Sequence, residues 1–136
     1  MVTSAGLSLP KALCDEIVAH ARAGVPNEAC GLIGGRDGRA TSFHPVRNAD
    51  QSPYRYTVHP EDLVRVYTEL EDADDEIVSI YHSHTRSAPY PSRTDVELAT
   101  WPDAAYLIVS LRSETPELAA FRLAEGRIEE LALEIT

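Results

Sequence analysis

The chain has 136 residues, 43% of them apolar and 25% charged, so one compact globular domain over residues 1–136 is expected. Its formal net charge of −10, from 12 basic and 22 acidic residues, disfavours nucleic acids and anionic membranes as partners, because both require a basic surface. The sequence contains neither an apolar run of the ~18 residues needed for a membrane span nor a signal-peptide pattern, which predicts a cytoplasmic protein.

The first half of the chain predicts two helices separated by a hairpin. Apolar residues recur at helical spacing over about 10–23 and predict the first helix. The apolar EACGLIGG, the turn RDGR and the following ATSFHPV predict a hairpin over about 29–46. Pro60 opens the next helical pattern, which ends in the acidic run EDADDE.

The second half predicts a strand, a short helix and three more strands. β-branched and aromatic residues are dense over 76–84, and the proline-rich turn that follows cannot continue that strand. A helix is expected over about 92–100, and strands over 105–111, 118–124 and 127–135. The order β-α-β-β-α-β-α-β-β-β indicates an α/β fold, with a mixed sheet and about three helices packed on it. The last strands could pair within one chain or between the chains of a homodimer.

Residues 81–95, YHSHTRSAPYPSRTD, hold a candidate metal site. Alternate residues of a strand share a face, so His82 and His84 project together while Ser83 faces the other way. Asp95 follows a turn that can fold back and would add a carboxylate. Three protein ligands with an open fourth position are typical of catalytic zinc sites, although iron, cobalt and manganese also accept such ligands.

A purely structural interpretation of the same residues stays open. Two histidines at a strand end are commonly polar residues of a sheet edge. Ser92 and Asp95 have the spacing of a capping box, in which the serine accepts from a backbone N–H and the acid lies near the positive helix end. The two interpretations are compatible, because a capped first turn would hold Asp95 rigidly.

Glu28 is the candidate proton shuttle. It heads the otherwise apolar EACGLIGG, where a buried carboxylate is costly without a partner. A glutamate there could take a proton from water and pass it to a leaving amine, but the spacing alone supports this role weakly. Cys30, on the same face, is expected to be a small buried residue. Cys14 and Cys30 are too few for a disulfide framework, so reduced thiols are expected.

Glu28, His82, His84, Ser92 and Asp95 have the order and local spacing of E…H-x-H-x7-S-x2-D, and so resemble the signature of JAMM (MPN+) metallopeptidases. PNEACGLIGG and YPSRTDVELAT extend the likeness to the compact bacterial branch of that family. The resemblance implies a JAB/MPN (cytidine-deaminase-like) fold and Zn²⁺ bound by the two histidines and the aspartate. It also implies that the glutamate is general base and then acid, and that the serine donates to the oxyanion.

The resemblance further implies a substrate, a ubiquitin-like sulfur carrier protein whose C-terminal glycine carries an amide-linked cysteine. Its hydrolysis would release cysteine, a step of cysteine biosynthesis. A thin diglycine tail can enter a groove as an added strand, for which residues 44–58 and 85–91 are the expected walls. Arg86, Tyr90 and Arg93 flank the site, and one of the arginines is a candidate to bind the cysteine carboxylate.

Two alternatives remain beside this interpretation. One is trimming of C-terminal extensions from other ubiquitin-like sulfur carriers, of the thiamine or molybdopterin type. The more remote one is a non-catalytic MPN-type binding scaffold. A zinc deaminase is disfavoured because H-x-E and P-C-x-x-C are absent, and a serine hydrolase because G-x-S-x-G is absent.

Overall fold

A computed structural model of the chain describes residues 6–136. This part of the chain contains eight strands and three helices. In chain order the elements are β1 (Leu7–Leu9), α1 (Lys11–Gly24), β2 (Cys30–Arg36), β3 (Arg39–Val46), α2 (Pro60–Asp72), β4 (Glu76–His84), α3 (Arg93–Leu98), β5 (Ala105–Ser110), β6 (Glu117–Ala124), β7 (Arg127–Leu131) and β8 (Leu133–Ile135). None of these helices is both long and apolar enough to cross a membrane.

The eight strands form one mixed sheet in the order β7-β6-β5-β4-β2-β3-β1-β8. The pairs β4/β5, β1/β3 and β1/β8 are parallel, and the other neighbours are antiparallel. β7 and β8 lie at opposite edges of this order, yet Ala132 alone separates them in the chain. The sheet therefore curls until its two edges nearly meet, as in an almost closed barrel.

The predicted mixed sheet with three helices is confirmed, and the predicted strand over 127–135 is wrong in one respect. The chain breaks at Ala132 into β7, which pairs with β6, and β8, which pairs with β1. The carbonyl of Ala132 accepts from the backbone N–H of Leu7 at 2.9 Å, so the break transfers the chain from one sheet edge to the other. α3 also ends at Leu98, earlier than predicted, because Ala99 is already extended.

Helices cover both faces of the sheet. On one face, Tyr81 of β4 belongs to an apolar cluster that includes Ile17 of α1. On the other, Ile80 of β4 packs in a cluster with Val66 of α2. Because side chains alternate along a strand, His82 and His84 point to the same face as Ile80, which is the face that α2 covers.

Gly31 of β2 leaves room for two aromatic rings from the neighbouring strands. It pairs with Tyr81 on β4 and Pro45 on β3. The rings of Phe43 and Tyr81 meet edge to face there, with centroids 5.8 Å apart. A Cβ on Gly31 would lie 2.6 Å from Cε1 of Phe43 and 3.1 Å from Cδ2 of Tyr81. Only glycine leaves room for this ring pair.

We expect Gly31→Ala to lower the free energy of unfolding by about 1–3 kcal/mol, the usual cost of overpacking a filled core. Urea denaturation measures this. The same substitution in a Phe43→Leu background should cost clearly less, because the closest ring atom is gone. Equal costs in both backgrounds would contradict the proposed steric cause.

Candidate metal centre

Three buried side chains from two elements meet at one point. His82 and His84 end β4, and Asp95 lies in the first turn of α3. Nε2 of His82 is 3.2 Å from Nε2 of His84, and Asp95 Oδ2 is 3.1 Å from the first and 3.0 Å from the second. We call these three side chains the metal triangle. The structure thus brings together the three residues that the sequence predicted as metal ligands.

A capping box fixes the orientation of Asp95. Ser92 Oγ accepts from the backbone N–H of Asp95 at 3.1 Å, and Asp95 Oδ2 accepts from the backbone N–H of Ser92 at 2.9 Å. The oxygen that completes the metal triangle is therefore the oxygen that caps the helix. The Ser92 hydroxyl hydrogen is not used by this cap and remains free to donate.

His84 is held through its second ring nitrogen and His82 through the face of its ring. Nδ1 of His84 donates to the carbonyl of Ala88 at 2.8 Å, which leaves a lone pair on Nε2 of the neutral ring. The ring of His82 stacks under that of Tyr56, with centroids 4.4 Å apart and planes 20° apart. Both Nε2 atoms are thereby directed towards Asp95.

The pKa values of His82, His84 and Asp95 depend on one another. Burial lowers the pKa of His82, although Asp95 opposes this. Burial also disfavours the cation of His84, but hydrogen bonds to Asp95 and Ala88 outweigh it and raise that pKa. Burial opposes ionisation of Asp95, yet the adjacent His82 and His84 rings, which donate to its carboxylate when they are protonated, hold its pKa well below its usual range. An ionised carboxylate buried between two imidazoles favours a bound positive charge.

The donor set fits a tetrahedral divalent metal. Bonds of about 2.0–2.1 Å in a tetrahedral zinc site place the ligand atoms about 3.3–3.4 Å apart. The atoms of the metal triangle lie 3.0 to 3.2 Å apart, so a small outward movement would admit the ion. Two nitrogens and one carboxylate suit zinc, and iron, cobalt or manganese accept the same donors.

Glu28 lies beside the metal triangle, and the next residue, Ala29, is bound to Ser83 of β4 by two hydrogen bonds. Ala29 donates its N–H to Ser83 Oγ at 2.8 Å and accepts from the N–H of Ser83 at 3.0 Å. Since Ala29 is opposite Ser83, Glu28 is next to His84. Ser83 therefore supports the site from the opposite face, as its strand parity predicts.

The Glu28 carboxyl group is buried without a hydrogen-bond donor. Its residue is 6% exposed, and Oε1 has no partner among the described residues. Burial raises the pKa of Glu28 to about 8, although His84 lowers it; Asp95 raises it further. A carboxyl group with this pKa exchanges its proton near neutral pH, as general acid–base catalysis requires.

Two cavities adjoin the site. One of about 310 Å³ is bounded by Asp95 and by Tyr56, with Leu32, Ile80, Leu98 and Trp101 among its apolar walls. The other, of about 620 Å³, is bounded by Glu28, with Asn27, Asn48, Gln51 and His59 among its polar walls. The loop 47–59 contributes to both cavities. Residues 85–91 line neither, and their part in a substrate groove stays a prediction.

The three predicted substrate contacts lie at the surface. Arg93 Nε pairs with Glu97 Oε1 at 3.0 Å, and its side chain is 93% exposed. Tyr90 packs edge to face on Phe121, with ring centroids 5.5 Å apart. Arg86 is exposed. The structure places none of the three in hydrogen-bond contact with the metal triangle, and their role in binding stays a prediction.

Cys30 is a core residue, as predicted from its position. It is fully buried, and its nearest polar contact is the Arg47 carbonyl, 3.8 Å from Sγ. Burial, together with nearby acidic groups, raises the pKa of its thiol to about 12. A thiol in that state is a poor nucleophile.

Sequence reasoning missed Tyr56 and Asn48. Tyr56 covers His82, and the Asn48 side chain bonds to the carbonyl of Glu28. Both lie in the loop NADQSPYRY, in which the sequence contains turn-forming residues but no motif spacing. The resemblance placed residues 44–58 beside the substrate groove, but only the fold shows that Tyr56 contacts His82 and that Asn48 contacts Glu28.

Comparison with known proteins shows related chains. The Prok-JAB family, the prokaryotic homologs of the JAB domain, matches residues 10–124. The CysO-cysteine peptidase of Mycobacterium tuberculosis is 45% identical, over 87% of this chain and 83% of its own. A desampylase of Haloferax volcanii is 43% identical, over 80% and 84%. A JAB1/MPN domain protein of Archaeoglobus fulgidus has the same fold, with a TM-score of 0.66, 17% identity and coverage of 96% and 98%.

We expect one zinc ion per chain to bind and stabilise the chelator-treated protein, by about 2.7 kcal/mol at a free concentration of 100 times Kd. Calorimetry measures the shift in unfolding that zinc causes, and metal analysis measures the zinc content per chain. His84→Ala should abolish most of the shift. The control His44→Ala should keep it, because His44 bonds to Ser42 away from the triangle. Equal shifts in the two variants would contradict the assignment.

We also expect Glu28→Gln to stabilise the metal-free protein. The carboxyl pKa is raised from 4.5 to about 8 by burial, so folding favours the protonated form. The wild type then loses stability as pH rises from 4.5 to 8, whereas the neutral amide does not. Denaturation at pH 8 should favour the variant by about 1–3 kcal/mol, with little difference near pH 4.5. A pH-independent difference would contradict this.

Proposed function

The chain belongs to the Prok-JAB family, and from this membership and the site geometry we propose that it is a zinc metallopeptidase acting on a ubiquitin-like sulfur carrier. The proposed reaction is hydrolysis of the C-terminal Gly-Cys amide, which releases cysteine. The observation that carries the proposal is the buried metal triangle with the unpartnered carboxyl group of Glu28 beside it. The 45% identity to a CysO-cysteine peptidase supports the choice of substrate.

His82, His84 and Asp95 would hold the metal. A zinc ion bound there supplies a Lewis acid that activates water and polarises the scissile carbonyl. The neutral lone pairs and the ionised carboxylate described above are the donors that such an ion needs. Their burial keeps bulk water away, which strengthens every electrostatic interaction at the reacting atoms.

Glu28 would move the proton. Its ionised carboxylate takes a proton from the attacking water, and the resulting carboxylic acid gives that proton to the nitrogen of the leaving amine. The C–N bond then breaks, and Glu28 returns to its ionised form. Because Oε1 has no protein partner, nothing in the described structure competes with water for this oxygen.

Ser92 would stabilise the charge that develops on the carbonyl oxygen. Its Oγ already accepts from the N–H of Asp95, which fixes the hydroxyl group at the start of α3. Its hydrogen is free to donate to the negative oxygen as the carbonyl carbon becomes tetrahedral. The same residue would thus cap α3 and serve the reaction.

A second candidate function is the trimming of other ubiquitin-like carriers. The observation that favours it is the 43% identity to the desampylase of Haloferax volcanii, a relative that is not named as a CysO-cysteine peptidase. The same metal triangle and Glu28 would serve both reactions. Carriers of the thiamine and molybdopterin type, each extended at the C-terminus, are the substrates to compare.

Mass spectrometry of zinc-loaded protein with a carrier bearing a C-terminal cysteine tests the proposal. We expect loss of one cysteine residue from the carrier. Glu28→Gln should lower kcat by about 10²–10⁴-fold, the usual contribution of a general acid–base, while one zinc stays bound. The control Lys11→Ala removes only an exposed ion pair with Asp15 and should leave kcat near the wild-type value.

The outcomes separate the alternatives. Cleavage of the extended carriers, but not of the cysteine-bearing one, would favour trimming. A wild-type protein that binds a carrier and cleaves none would indicate a binding scaffold, and the proposal would then be rejected.

A further inference from the structure

Asn48 uses its whole hydrogen-bonding capacity to join three backbone segments. Its Nδ2 donates to the carbonyls of Glu28 at 3.0 Å and Arg55 at 3.1 Å. Its Oδ1 accepts from the N–H groups of Asp50 and Thr57, each at 3.0 Å. A primary amide has two N–H donors and two acceptor lone pairs, so all four positions are filled. Such a side chain has little freedom to move.

Asn48 also has a fixed base. The N–H of the preceding Arg47 donates to Asp62 Oδ2 at 2.8 Å, and the Arg47 side chain makes further bonds to the same carboxylate. The carbonyl of Arg47 accepts from the N–H of His59 at 3.0 Å. Asp62 lies in the first turn of α2, so the end of β3 is tied to the start of that helix. The backbone at Asn48 is therefore anchored to α2, so the position of the Asn48 side chain is set by the fold and not by a loose loop.

The main chain of Glu28 is held from two sides. Its carbonyl accepts from Asn48 and its N–H donates to the Ser52 carbonyl at 2.8 Å, both in the loop 47–59. On the other side, the neighbouring Ala29 pairs with Ser83 of β4. The carboxyl oxygen Oε1 has no such restraint among the described residues. The direction of the carboxyl group thus depends on where these bonds place its main chain.

We propose that Asn48 is a positioning residue. It holds the main chain of Glu28 where the carboxylate can reach both the attacking water and the leaving amine. The inference rests on the proposed function of Glu28. Asn48 does not touch substrate in this account. It acts through the Glu28 carbonyl, and the same side chain ties that carbonyl to both arms of the loop that carries Tyr56 over His82.

Two variants separate positioning from general support of the loop. Asn48→Asp keeps oxygen acceptors for Asp50 and Thr57 but removes the Nδ2 donor to the carbonyls of Glu28 and Arg55. The control Asp50→Ala removes the bonds that Asp50 Oδ2 accepts from Thr57 Oγ1 at 2.7 Å and from Arg55 Nε at 3.2 Å. It loosens the same loop without touching Glu28. Asn48→Ser, which adds no charge, is a second variant should the aspartate disturb folding.

With a carrier bearing a C-terminal cysteine, Asn48→Asp should lower kcat by about 10–100-fold, the usual effect of losing an orienting partner of a functional group. KM and zinc content should stay near the wild-type values. Asp50→Ala should change kcat by less than about threefold. If both variants lower kcat equally, Asn48 only shapes the loop and the inference is wrong.

A double variant tests whether Asn48 acts through Glu28. Once Glu28→Gln has removed the shuttle, adding Asn48→Asp should cost no further activity. If the fold-losses in kcat of the two single variants multiply in the double variant, the inference is wrong.

Hydrogen exchange of the Glu28 amide in the metal-free protein gives a readout that needs no catalysis. Asn48→Asp should speed this exchange, and Asp50→Ala should leave it near the wild-type rate. A wild-type protein that cleaves no carrier would refute the proposed function, whereas unchanged exchange in Asn48→Asp would refute the role of Asn48 separately.

Discussion

The pairing of Ala29 with Ser83 holds the two halves of the site together. It joins the start of β2 to the end of β4, and both of its hydrogen bonds are buried within the sheet. One residue before Ala29 stands Glu28, and Ser83 stands between the two histidines. A shift of the β2/β4 register by one residue would turn Glu28 to the other face and separate it from the metal triangle. The chemistry depends on this register.

The site holds groups that folding alone would not favour. Asp95 is buried between two imidazoles, and Oε1 of Glu28 is buried without a donor from residues 6–136. Each would be stabilised by a positive ion bound at the metal triangle. The cap at Ser92 and the carbonyl of Ala88 offset part of the cost, because they satisfy Asp95 and His84 with rigid backbone partners. Buried side-chain atoms without a hydrogen-bond partner are rare in proteins, and two of those among the described residues, Glu28 Oε1 and His82 Nδ1, belong to this site.

Local rules explain what could be predicted from the sequence. The period of two along a strand predicted that His82 and His84 share a face, and the capping spacing predicted that Asp95 is fixed at a helix start. The closeness of Glu28 to them, more than fifty residues away in the chain, came from the family resemblance, because no local pattern encodes strand order. Asn48 was missed for the same reason. Three of its partners are backbone groups of its own loop, and its bond to the distant Glu28 carbonyl leaves no mark in side-chain spacing.

The central claim is that the metal triangle binds zinc with Glu28 facing the open ligand position. Anomalous X-ray diffraction at the zinc edge, from crystals of the zinc-loaded protein, tests it most directly. The account predicts one strong peak within about 2.0–2.2 Å of His82 Nε2, His84 Nε2 and an oxygen of Asp95, with the Glu28 carboxylate turned towards that peak. A peak at other residues, or a Glu28 side chain turned to solvent, would contradict it.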